Sequence, residues 1–180
     1  MFQIFIKKQV ALAAMAIALG GVALAAPPLH HKSSDIECAD RRITVEADCF
    51  AHSSFTLCTQ QSIRFSGADG KMLSTRVFQT RPLKNAPYPV VEERFGELNC
   101  VETKEKKRYL VATMNNGGNC EQCEWDDVYS TDGVLLGTTR NTEKNNAAVE
   151  SATDALYVDG AKHVLKNQPF AKFYKDNSAR

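Results

Sequence analysis

Charge of one sign is what this sequence most lacks. Its 180 residues carry 22 Lys and Arg against 21 Asp and Glu. A chain so balanced has no electrostatic footprint for nucleic acid or for an anionic lipid surface. No internal repeat and no low-complexity segment is present, which removes repeat arrays and disordered linkers. Catalytic signatures are missing as well. There is no Gly-x-Ser-x-Gly elbow for a serine hydrolase. There is no glycine-centred loop of alternating carboxylates for calcium. Long apolar runs are scarce too. The run Val10 to Ala26 falls short of the roughly 20 residues a spanning helix wants, and Gly20-Gly21 interrupts it.

That run has a different reading. Lys7 and Lys8 precede it, Ala, Val, Leu, Ile and Met fill it, and Ala23-Leu24-Ala25 closes it ahead of Pro27-Pro28. Positive charge, apolar stretch and small-x-small site are the parts of a cleavable secretory signal. Residues 1–25 are therefore expected to be a signal peptide. No cysteine follows until Cys38, so no lipid attachment site is visible, and no Arg-Arg pair precedes the run. The expectation is a bacterial protein delivered to the periplasm or outside the cell, with no membrane span once cleaved. Cleavage after Ala25 leaves 155 residues, one ordinary domain, with 20 basic and 21 acidic side chains.

All six cysteines fall beyond the signal: Cys38, Cys49, Cys58, Cys100, Cys120 and Cys123. An even count in an oxidising compartment reads as disulfides. Spacing alone does not choose the pairing.

The pattern along the chain is mainly β. Residues 26–36 are polar and without period, and read as a flexible leader before a single domain over 37–175. From Arg42 to Phe50, Ile43, Val45, Ala47 and Cys49 alternate with Thr44, Glu46 and Asp48, as in a half-buried strand. Phe55 to Cys58 is a second candidate. Ser62–Ser66 and Met72–Gln79 flank Gly67-Ala68-Asp69-Gly70, where Asp-Gly is hairpin turn chemistry. Arg81 to Pro89 holds Pro82, Pro87 and Pro89 and reads as an extended loop. Leu98–Thr103 and Arg108–Asn115 form a second hairpin across Lys104 to Lys107. Glu124–Ser130 and Val134–Thr139 form a third, around Asp132-Gly133. Three hairpins in succession predict an antiparallel meander. From Asn145 to Tyr157, Ala148, Val149, Ala152, Ala155 and Leu156 recur at helical spacing, so a carboxyl-terminal helix is expected to cover one face of the sheet. Val164, Leu165, Phe170, Phe173 and Tyr174 give the tail enough apolar surface to dock.

The densest local feature is Asn116-Gly117-Gly118-Asn119-Cys120-Glu121-Gln122-Cys123-Glu124-Trp125. One reading is a structural clamp, with Cys120 and Cys123 bridged to each other or to neighbours and Trp125 packed in the core. A second is thiol–disulfide exchange at Cys120/Cys123. That needs a lowered thiol pKa, and Glu121, Glu124, Asp126 and Asp127 work against it. A third is half of a zinc site, at no recognisable spacing to other ligands; no metal and no cofactor is expected. The fourth is recognition, with Gly117, Gly118, Asn119 and Trp125 as the binding residues, tryptophan being a common interface anchor.

The histidines point to nothing sharper. His30 and His31 fall in the leader. His52-Ser53-Ser54 reads as a polar turn, since sequence neighbours do not make a catalytic pair. His163 reads as surface. The expectation is thus a non-catalytic exported binding protein with a protein partner in the envelope, such as an inhibitor or immunity protein of an envelope-acting enzyme. The alternatives are an envelope enzyme whose site assembles from scattered residues, and exchange chemistry at Cys120/Cys123.

Overall fold

The computed structural model describes residues 26–118, 120–140, 147–158 and 161–175. The expected signal peptide, residues 1–25, and Asn119 lie outside the described residues. In chain order the elements are β1 (His30–Cys38), β2 (Arg41–His52), β3 (Phe55–Ser66) and β4 (Met72–Val77), then the two-residue strands β5 (Thr80–Arg81) and β6 (Val90–Val91). They continue with β7 (Arg94–Glu102), β8 (Arg108–Asn115), β9 (Glu124–Ser130) and β10 (Leu135–Thr138). Helix α1 (Ala147–Leu156), β11 (Tyr157–Val158), β12 (Ala161–Lys162) and β13 (Lys166–Pro169) complete the order. The protein is mainly β, antiparallel and disulfide-stapled, with one short helix.

The meander divides into two sheets, in the orders β1-β2-β3-β4 and β10-β9-β8-β7-β13. The division falls at the proline-bearing segment. A strand through Pro82, Pro87 and Pro89 could not supply ladder donors. There the chain makes only the short β5–β6 pair and passes to the second sheet. Along its way Tyr88 packs edge-on to Phe50 at 5.2 Å between ring centres.

Alternation does what it predicts in β2. Ile43, Val45, Ala47 and Cys49 are buried. Ile43 and Val45 face a core shared with Ile63 and Phe65 of β3 and with Leu98, Leu110, Ala112, Met114, Trp125 and Tyr129 of the second sheet, while Ala47 and Cys49 pack with Cys58 under Phe173 and Tyr174. Cys38–Cys100 ties β1 to β7 across that core, and Cys49–Cys58 links directly opposed residues of β2 and β3. The β9–β10 turn seats against the first sheet. Gly133 has φ +87°, a Cβ there would lie 2.5 Å from Phe65 Cδ2, and Ser74 Oγ donates to the Gly133 carbonyl at 3.1 Å.

Helix α1 covers the other face of the second sheet. Its Val149, Ala152 and Leu156 pack on Val101, Val111 and Val128. The tail docks as expected: Phe170 is fully buried, and Phe173 and Tyr174 pack on the core. Tyr174 Oη donates to Gln61 Oε1 at 2.6 Å and accepts from the Phe95 amide at 3.1 Å. Gln61 Nε2 donates to the Glu93 carbonyl at 2.9 Å. A fully buried glutamine in β3 is thereby satisfied.

The first elements differ from expectation. The segment expected as a flexible leader, 26–36, is mostly strand: His30 to Cys38 pairs with β2 from His30↔Cys49 to Cys38↔Arg41. Only Ile36 and Cys38 of β1 are buried, so an edge strand there leaves almost no hydrophobic period to read. His31, expected in a solvated tail, holds Asp48 at 2.9 Å through Nδ1. β3 is one strand of 12 residues where two pieces are expected. A bulge between Asp48 and Cys49 keeps it paired with β2 throughout.

Candidate functional site

The glycine-cysteine segment forms the loop between β8 and β9. Asn116 opens it: its Oδ1 accepts from the Gly118 amide at 3.0 Å, and its own amide donates to the Cys123 carbonyl at 3.1 Å. Gly117 has φ +76°, which favours glycine. Gly118 is required for a different reason: a Cβ would lie 2.3 Å from Cys123 Sγ. Cys120 and Cys123 are bridged to each other, three residues apart, around the single 3-10 turn Glu121–Cys123. The Cys123 amide donates to the Cys120 carbonyl at 3.0 Å. The loop is closed by the Asn116–Cys123 hydrogen bond and by the disulfide of that same Cys123 to Cys120. Asn116, Gly117, Gly118, Cys120, Gln122 and Glu124 are exposed.

Trp125 does not belong to that exposed set. It is 5% exposed, opposite Met114 in the β8–β9 ladder. Expected as a binding residue, it is a core residue instead, in one cluster with Met114 and Tyr129. Nε1 donates to Asp127 Oδ1 at 3.1 Å. The Arg140 guanidinium lies 4.1 Å from the ring centre, within cation–π range.

Asp127 begins a polar network that sequence reading missed. Arg76 of β4 donates to Asp127 Oδ2 at 2.7 Å and to Tyr129 Oη at 2.5 Å, and stacks 4.6 Å over Phe78. Glu93 accepts from Arg140 at 3.1 Å. Burial opposes the Arg76 charge, but Tyr129 and Asp127 outweigh it and hold its pKa above the ordinary value. Burial, then the Asp127 charge, pushes the Tyr129 phenol upward. These groups close the gap between β4 and β9. Arg76 and Asp127 are 51 residues apart, so only the folded chain brings them together.

On the α1 side of β9, burial raises the pKa of Asp126. Thr113 Oγ1 donates to it at 2.7 Å and partly offsets that effect, while Glu124 and Asp127 add to it. A cleft of ≈ 650 Å³ beside α1 is lined in part by Glu102, Ser151, Asp154, Tyr157 and His163. Lys106 and then Arg108 hold the Glu102 carboxyl below its usual range. This carboxylate is ion-paired and kept charged, the opposite of what a general acid needs. His52 is not in that cleft. With Ser53, at φ 55°, it makes the turn from β2 to β3.

Among the described residues, no group of three or more His, Cys, Asp and Glu could hold a metal ion. None of the described helices is long and apolar enough to cross a membrane. The chain matches no known family model, no curated protein and no solved structure.

Proposed function

We propose that this chain is an exported, non-catalytic binding domain of the bacterial periplasm or extracellular space, acting on a protein partner as an inhibitor or immunity protein would. The observation that carries the proposal is the loop of Asn116 to Glu124. Its Asn116, Gly117, Gly118, Cys120, Gln122 and Glu124 are exposed, and the Cys120–Cys123 bridge and the Asn116 hydrogen bonds hold it at the start of β9, where Trp125 is buried. A loop ordered in advance loses little entropy on binding, which is how rigid recognition surfaces gain affinity. Three disulfides using all six cysteines support the oxidising compartment.

The test is affinity capture from envelope extract with the exported protein and with the variant Q122K/E124K, whose changes fall on exposed loop positions. The expected result is one stoichiometric partner on the wild type and none on the variant. Capture of no stoichiometric partner, or equal capture by both, rejects the proposal. Amino-terminal sequencing of the exported protein should begin at Ala26.

One observation favours a second reading, thiol–disulfide exchange. Cys120 is exposed, and attack by an incoming thiolate requires access. No basic residue stands in the last turn of Glu121–Cys123 to favour a thiolate. Selective reduction of Cys120–Cys123 by mild reductant would support exchange, and resistance would leave the clamp.

A further inference from the structure

We propose that β4 is the seam of a symmetric dimer, joining the first sheets of two copies of this chain edge to edge. The proposal does not rest on the loop assigned to recognition.

The backbone makes the first argument. The Phe78 amide donates to the Gln61 carbonyl at 2.9 Å. The β3–β4 register runs Ser62↔Val77, Ile63↔Arg76, Arg64↔Thr75, Phe65↔Ser74, and then shifts at a bulge that leaves Leu73 unpaired with β3. Hydrogen-bonded pairs alternate in an antiparallel ladder, so Phe78 and Arg76 turn their N–H and C=O toward β3. Thr75 and Val77 turn theirs away, at the open end of the sheet order. Among the described residues these groups have no backbone partner, and such a row is a template for another strand.

The side chains make the second. Met72 is 61% exposed, Leu73 41% and Val77 60% on β4, and Val134 is 60% and Leu135 42% exposed beside it. The Ser74 to Gly133 hydrogen bond fixes the two segments against each other. Five exposed large apolar side chains thus gather at one margin of the sandwich, a concentration that marks an interaction surface. The edge strand β1 is different: it carries Lys32, Asp35 and Glu37. β13 carries Lys166 and ends at Pro169. Both are protected in the ways edges usually are.

Charge selects the occupant. Arg76 is held by Asp127, and Asp132 by Arg41 at 2.9 Å. A margin whose charges are already paired can face its own copy without like-charge repulsion, as an isologous interface must. Across a two-fold axis, two antiparallel β4 strands centred on Arg76 would set that charge opposite itself, which is unfavourable, whereas Thr75 on the axis centres the pair on one of the residues whose backbone groups face outward. With Thr75 on the axis, Arg76 faces Ser74 of the second copy, and Val77 comes toward Leu73, where the bulge of β4 ends the regular ladder. Apolar pairs and a central threonine pair are favourable cross-strand neighbours.

The experiment is sedimentation velocity over a concentration series of the exported protein, with T75K, T75E and their equimolar mixture. Circular dichroism checks that each variant is folded. The wild type should show a monomer–dimer equilibrium. T75K and T75E should each dissociate roughly fivefold more readily or worse, because like charges then meet on the axis. The mixture should restore association by forming the mixed dimer. A wild type monomeric at every concentration overturns the proposal. So does undiminished dimerisation of either variant, or a mixture that stays as weak as its parts.

Discussion

Replacing Cys38 and Cys100 together by alanine should destabilise the domain more than removing either other bridge. The reasoning is chain entropy. A cross-link restricts the unfolded chain in proportion to the logarithm of the loop it closes. The three bridges span sequence separations of 62, 9 and 3 residues. The corresponding stabilisations are about 4.3, 2.6 and 1.6 kcal/mol at 25 °C. Cys49–Cys58 lies inside the larger loop and shortens it slightly, which lowers the first figure by only about 0.1 kcal/mol. Cys38 and Cys100 are also 0% and 1% exposed, so each alanine leaves a small void, adding to the loss. For a domain with roughly 5–15 kcal/mol of net stability, losing about 4 is a large share.

Trp125 supplies the assay. It is the only tryptophan and sits in the core, so its fluorescence follows global unfolding in urea. The comparison must use extrapolated free energies, not midpoints, since a freed chain expands and raises the denaturant slope. On heating, the Cys38/Cys100 variant should melt roughly 9–17 °C below the wild type. If the Cys120/Cys123 variant loses as much as the Cys38/Cys100 variant, chain entropy does not order these bridges and the reasoning fails.

Two further predictions concern β9. Burial holds Asp126 above its ordinary 3.8, so the folded state keeps this proton more tightly than the unfolded one. Its favourable contribution is present below about pH 3.8 and is lost as pH rises through the folded pKa. Asp126→Asn keeps an acceptor for Thr113 and should be the more stable protein at pH 7, with the advantage vanishing at low pH in urea melts. A variant less stable at pH 7 would reject this. Separately, Arg76→Leu strands Asp127, which is 3% exposed. The loss should be about 2–3 kcal/mol, the low end for a buried pair because Arg76 is one-third exposed. Adding Asp127→Asn should recover most of it, and failure to recover would place the loss in packing.

Local chemistry made much of the fold legible. Asp69-Gly70 and Asp132-Gly133 lie in two of the hairpin turns, and the third closes across Lys104 to Lys107. The alternation of β2 and the helical period of α1 match the faces they bury. What was not legible depends on partners distant in sequence. Thr59-Gln60-Gln61 looks like a break between two strand pieces, yet Gln61 is core because Tyr174 reaches it from 113 residues away. β13 gives no periodic signal in Lys166–Pro169, and becomes a strand by pairing with β7. Nothing local says that the β3–β4 hairpin belongs to one sheet and the other two hairpins to another. The candidate site was half legible. The loop glycines announce unusual backbone geometry, but Trp125 reads as anchor or as core with core the stronger reading, and its buried partner Asp127 reads as one of several acidic residues beside the cysteine pair.

The two margins of the sandwich are closed by different physics. At the β1 margin, Cys38–Cys100 is covalent and indifferent to salt. At the β4 margin, the Arg76–Asp127 pair joins the sheets, with Glu93–Arg140 and the stacked indole of Trp125 beside it. The proposed dimer seam lies on that second margin, and the loop proposed for recognition leads into β9 through Trp125. High salt should therefore loosen the β4 margin before the β1 margin, because partly exposed ion pairs are screened and a disulfide is not. Reductant should do the reverse. Hydrogen exchange in the two conditions would distinguish them, with early exchange in β4 and β9 expected under salt and in β1 under reductant. Uniform exchange in both would mean that the sheets separate as one cooperative unit and that neither margin acts as a local latch.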